Sequence, residues 1–136
     1  MTFKRAAAVA ALLVLGGCIE RPPVYVDPVP DDVMQQSRDQ PVRWTYFGDI
    51  RTMLQYYPRQ AWYGQEDGNV YATCAWNGQG RITDCQVLRE APVGFGFGEA
   101  TVQMLRAVGQ VQAKDPSKPL EPGRGLVINI QWHARG

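Results

Sequence analysis

The sequence predicts an α+β fold: a three-stranded antiparallel sheet with helices packed on one face, in the order helix, strand, strand, helix, strand. Three observations predict it. Residues 125–133 alternate, with Leu126, Ile128, Ile130 and Trp132 on one side and Val127, Asn129, Gln131 and His133 on the other, the period of a half-buried strand. Residues 69–76 and 81–89 are two strand-like runs joined by Asn77-Gly78-Gln79-Gly80, a turn of the kind that makes a hairpin. Segments of helical period stand before and after that hairpin, an order that segregates helices to one face of an antiparallel sheet.

The N-terminus does not belong to this domain. Lys4 and Arg5 precede an apolar run from Ala6 to Leu15, the charge and length of a secretory leader and too short to cross a bilayer. The run ends in Leu15-Gly16-Gly17-Cys18, which resembles the lipobox of bacterial lipoproteins. That resemblance implies cleavage after residue 17 and acylation of Cys18; an ordinary leader with a free cysteine near the new terminus is the other reading of the same residues. Ile19, where an aspartate would favour retention in the inner membrane, implies sorting to the outer membrane. Removal of residues 1–17 takes two cations and turns the net charge from +1 to −1. Several acyl chains would anchor the protein firmly, at about 0.8 kcal/mol per buried methylene.

Residues 18–43 are expected to form a lipidated, proline-rich linker. Pro22, Pro23, Pro28, Pro30 and Pro41 stand among Asp27, Asp31 and Asp32, a composition that builds no core and extends. The domain is expected to occupy residues 44–136. Asp49 caps a first helix bearing Ile50, Met53, Leu54 and Tyr57 at helical spacing. Pro58 interrupts it, and a second short helix follows through Arg59-Gln60-Ala61-Trp62.

In the first hairpin strand Val70, Ala72, Cys74 and Trp76 share a face. In the second, Ile82 and Cys85 fall on opposite faces under strict alternation. A bulge near Asp84 is therefore expected, which returns Cys85 and Val87 to the inward phase. Cys74 and Cys85 then face one side of neighbouring strands. In an exported protein they are expected to pair as a disulfide, with two buried thiols as the other possibility. Residues 91–98 read as a loop and 99–108 as a helix with Thr101, Met104, Leu105 and Val108 inward. Residues 110–124, with Pro116, Pro119, Pro122 and Gly123, read as a surface loop.

Taken together, Tyr57-Pro58, Gly68-Asn69-Val70, Asn77-Gly78-Gln79-Gly80-Arg81-Ile82, Phe97 before a helix and the final alternating strand resemble the C-terminal domain of TonB proteins. The paired cysteines and the Gly94-Phe95-Gly96-Phe97-Gly98 loop look like a cysteine-containing branch of it. The resemblance implies no enzyme. It implies a periplasmic binding domain associated with energy transduction and transmembrane transport, which captures an extended segment, the TonB box, of an outer-membrane receptor. Strand addition is the physical means, because an edge strand has free N–H and C=O groups. On the last strand, Val127, Asn129, Ile130 and Gln131 become the implied contact positions. The membrane is a partner through the lipid anchor. A structural lipoprotein that holds peptidoglycan or an assembly partner is the competing expectation.

Other chemistries find little support. A charge near zero leaves no footprint for nucleic acid. His133 is the single imidazole and has no partner at informative spacing, so no catalytic residue is assigned. The glycine-rich loop lacks the following Lys-Ser/Thr of a phosphate cradle. Glu90 and Glu99 flank that loop as surface carboxylates. No metal spacing and no cofactor are read from the three cysteines and one histidine.

Overall fold

The computed structural model describes residues 21–134. The leader over 1–17, the acylation position Cys18 and the sorting residue Ile19 lie outside the described residues. Among the described residues nine elements follow in order: α1 (Asp31–Arg38), β1 (Val42–Tyr46), α2 (Ile50–Tyr56), α3 (Arg59–Tyr63), β2 (Gly68–Trp76), β3 (Ile82–Ala91), α4 (Phe97–Val108), β4 (Gln110–Ala113) and β5 (Gly123–Trp132). The main sheet is antiparallel with spatial order β3-β2-β5. This is the α+β arrangement that the hydrophobic patterns call for.

The inward face of that sheet is set by the alternation in β2 and β5. Val70, Ala72, Cys74 and Trp76 are buried, as are Leu126, Ile128, Ile130 and Trp132 across the ladder. Helix α4 lays Phe97, Thr101, Met104 and Leu105 on them, each at 0% exposure. Tyr57 stands at the centre of an aromatic cluster, with edge contacts to Trp62, Phe97 and Trp132 at centroid distances of 5.4–5.7 Å. Such contacts add about 1 kcal/mol each to the apolar burial.

The hairpin confirms the irregular phase of β3. Cys74 pairs with Cys85 and Ala75 with Asp84, but Trp76 pairs with Ile82. The extra residue in β3 lets both Ile82 and Cys85 be buried. Cys74 and Cys85 form a disulfide between directly opposed positions, with Cα atoms 4.1 Å apart. The hairpin turn needs Gly80. Its φ is +76°, and a Cβ there would sit 2.3 Å from the Val111 carbonyl oxygen. That approach allows the Val111 N–H to reach the Gly80 carbonyl at 2.8 Å.

Two expectations are corrected. Residues 110–124 are not all surface loop, because β4 pairs antiparallel with β1 in a second, two-stranded sheet. Four residues with one buried apolar side chain, Val111, carry too little alternation to be read as a strand alone. The segment read as an extended linker over 18–43 instead holds α1 and the start of β1, and it packs on the sheet. Proline and acid content hid this. Yet Asp31 and Asp32 fill the first turn of α1 and Arg38 the last, charges that suit the helix dipole at both ends.

The path of that segment matters for the site. Arg21 pairs with Asp67 at 3.3 Å. The Asn69 side-chain amide donates to the Val24 carbonyl at 2.7 Å. Val29 is buried, and at the end of α1 Ser37 meets β5. Residues 21–38 therefore strap the domain from the start of β2 to the middle of β5.

Candidate functional site: the outer edge of β5

β5 is an edge strand of the main sheet, because β2 occupies only one of its sides. Its outward backbone groups can be located from one residue. The Val127 N–H donates to Ser37 Oγ at 2.7 Å, and the Val127 carbonyl accepts the Trp44 indole N–H at 3.4 Å. Val127 thus points both groups away from β2. Antiparallel pairing alternates with period two. Asn129 and Gln131 therefore present their N–H and C=O outward, whereas Ile128 and Ile130 turn theirs to β2.

The four candidate positions on β5 separate accordingly. Asn129 and Gln131 are brought to the edge, and among the described residues no hydrogen bond is made to their outward backbone groups. Val127 and Ile130 are withdrawn as open contact positions. The edge groups of Val127 are already taken by Ser37 and Trp44. Ile130 is 3% exposed, with its backbone turned toward Val70 in the ladder.

Side chains stiffen the open stretch. The Asn129 amide donates to the Asn69 Oδ1 and, at 3.1 Å, to the Val70 carbonyl. Gln131 donates to Asn129 Oδ1 at 3.2 Å. Asn69 in turn holds the Val24 carbonyl. This amide row ties the strap, β2 and β5 together and leaves the Asn129 and Gln131 backbone groups free.

Beside that edge lies a small apolar groove of about 70 Å³, lined by Ile50, Met53, Leu54, Tyr57, Gln131 and His133. The Asp49 carboxylate positions it by capping α2. It accepts the Thr52 N–H at 2.9 Å, and this bond, joined by the Thr52 hydroxyl, holds the Asp49 carboxyl below the usual range. Helix α2 turns Met53 toward the core but leaves Ile50 59% and Leu54 48% exposed. The helical spacing groups these apolar positions on one face; a two-turn helix beside a narrow sheet has room to bury only part of them. A second shallow groove of about 300 Å³ continues past Leu54 to Trp62 and Tyr63.

Charged groups close the end of the site. Asp67 Oδ1 accepts the Ala134 N–H at 2.9 Å, and its other oxygen faces Arg21 at 3.3 Å and His133 Nδ1 at 3.8 Å. Burial is the largest single influence on this carboxyl and pulls it up. The Ala134 N–H, Arg21 and His133 together outweigh burial and hold it below the ordinary value of 3.8. Tyr57, whose hydroxyl donates to the Glu66 carbonyl, is pushed up to about 12 by burial and by the nearby Asp67 and Glu66 charges.

Other residues singled out in the sequence have structural duties. Glu90 accepts the Gly98 N–H at 2.9 Å, so it satisfies a free donor at the start of α4. Phe97 is wholly buried and anchors the glycine-rich loop. Trp76 and Trp132 are core residues, and Trp62 is 43% exposed. Among the described residues no cluster of His, Cys, Asp and Glu is arranged to hold a metal ion, and no helix is long and apolar enough to cross a membrane. Ser37 and Trp44, which take the edge groups of Val127, are residues of the candidate site that sequence reasoning missed. The alternation Val42, Trp44, Tyr46 was a signal for the strand that carries Trp44.

Fold and site together define a small, disulfide-bonded α+β domain with a partly open sheet edge. No protein-family model matches the chain, and no curated protein matches it. Among solved structures it is similar to one described as the solution NMR structure of Pseudomonas aeruginosa TonB CTD, with a TM-score of 0.49, 17% identity, and coverage of 72% of this chain and 91% of that chain.

Proposed function

We propose that this chain is a lipid-anchored, TonB-like protein-interaction domain, which binds an extended segment of an outer-membrane receptor by adding it as a strand to β5. The observation that carries the reading is the pair of open backbone positions, Asn129 and Gln131, beside the exposed Ile50 and Leu54 of α2. Main-chain bonds to the edge supply affinity, and the apolar groove selects a side chain at alternate positions. The domain carries out no reaction in this reading. It is a docking partner in TonB-type transport, held at the periplasmic face of the outer membrane by acyl chains on Cys18.

The test is Gln131→Pro. Gln131 is exposed, and the N–H that proline removes points away from β2, where an edge strand tolerates it. The variant is expected to keep its fold by circular dichroism. It should lose binding to peptides from the periplasmic segments of outer-membrane receptors. Unchanged affinity would reject strand addition. Radiolabelled palmitate incorporated into the wild-type chain and absent from Cys18→Ala tests the anchor.

A further inference from the structure

The edge of β5 is not open along its length, and what closes it is specific. Ser37 and Trp44 come from different elements, α1 and β1, yet both terminate on Val127. One satisfies its N–H and the other its C=O. Ser37 is a buried polar residue at 8% exposure, and its hydroxyl replaces the acceptor that a neighbouring strand would supply. Helix α1 is in contact with β5, and Gln36, next to Ser37, stands with Thr73, Arg124 and Gly125 around a cavity on the far side of Val127 from Asn129. An added strand cannot pass Val127 while this plug is in place.

We infer that Ser37 and Trp44 form a stop that fixes the length and register of the bound segment. This rests on the strand-addition reading above. The segment that fits is short: an extended stretch of about five residues, which pairs with the two outward positions Asn129 and Gln131 and directs one apolar side chain to Ile50 and Leu54. At about 3.3 Å per residue, a longer strand runs into the end of α1. The stop also protects the edge. An open strand end is a template for unwanted pairing, and covering part of it limits the site to short partners.

The test uses the full-length chain, ¹⁵N-labelled in detergent micelles, and blocked synthetic Val-Thr repeats of three, five, seven and nine residues flanked by lysine. Between three and five residues, affinity is expected to rise about tenfold, as two added backbone bonds allow. Between five and nine it should change less than about twofold. Amide exchange should slow at Asn129 and Gln131 and stay unchanged at Val127. Ser37→Pro breaks the last turn of α1 and removes the acceptor; in that variant the nine-residue peptide should bind several-fold tighter than the five-residue one and protect Val127. Affinity that keeps rising to nine residues in the wild type, with Val127 newly protected, overturns the stop and leaves the edge reading standing. Absence of protection at Asn129 and Gln131 with every peptide overturns the edge reading itself. If Ser37→Pro fails to fold, the wild-type length series and the Val127 amide decide alone.

Discussion

The Trp132 indole N–H donates to Thr101 Oγ at 2.9 Å, and the Thr101 hydroxyl donates onward to the Phe97 carbonyl at 2.8 Å. Both side chains are 0% exposed. This bond fastens α4 to the last residue of β5 and so fixes the end of the strand on which the proposed site depends. A buried donor left without an acceptor costs about 1–3 kcal/mol. Thr101→Val keeps the shape and removes the acceptor, so it should lower stability by about that amount. Thr101→Ser should recover most of the loss. Urea unfolding of the three proteins, read from the transition midpoint at constant slope, checks this.

The Cys74–Cys85 bond closes a short loop, with a sequence separation of 11. Chain entropy sets an upper limit of about 3 kcal/mol on its contribution. The ladder already holds these strands together, so the expected loss in Cys74→Ala/Cys85→Ala is nearer about 1–2 kcal/mol. The double variant should still fold, with a melting temperature lower by several degrees. Collapse to an unfolded chain would show that the hairpin cannot form without its crosslink.

Asp67 makes the strap pH-sensitive. Its carboxyl is held below the ordinary value in the folded protein, so the charged form contributes stability. That contribution is complete above the unfolded value near 3.8 and is lost as pH falls through the lower folded value. Between pH 7 and 5 stability should be insensitive to this group. Below about pH 4 the wild type should lose stability that Asp67→Asn has already lost, so the two curves converge. The exposed half of the pair, Arg21, adds little at physiological salt. Denaturant midpoints from pH 2.5 to 7 for both proteins give the comparison.

Gly68 stands where β2 begins, and a Cβ there would lie 2.5 Å from the Phe97 ring. Phe97 is fully buried between Tyr57 and Trp132 and cannot withdraw. Gly68→Ala should therefore cost about 1–3 kcal/mol through overpacking. Thermal unfolding of the single variant reads it. A loss below about 0.5 kcal/mol would mean that the aromatic cluster shifts more readily than its packing indicates.

Local rules made much of the domain legible. Alternation from Leu126 to Trp132 defined the buried face of β5. The Asn77–Gly80 turn with the displaced phase of Ile82 and Cys85 located the hairpin and its bulge. Asp49 and Pro58 marked the borders of the short helices. Each of these signals acts over one element, where side-chain period, capping and turn chemistry leave their mark in consecutive residues. The chain order of these elements then left one economical way to bury their apolar faces, and the sheet with its helical layer follows it.

Which stretch of β5 stays open was decided only in three dimensions. Val127 and Asn129 are equivalent in an alternating pattern, and nothing within residues 123–132 separates them. They differ because Ser37 lies 90 residues from Val127 in the chain and Trp44 lies 83 residues from it. A segment that composition marked as an extended linker folds back and sets Ser37 on one rung of the edge, where Trp44 of β1 joins it. A proline-rich strap has no core of its own and leaves no periodic trace, so its position depends on the sheet against which it docks. The amino-acid pattern specifies the strand; the long-range hydrogen bonds to Val127 specify where a partner could begin.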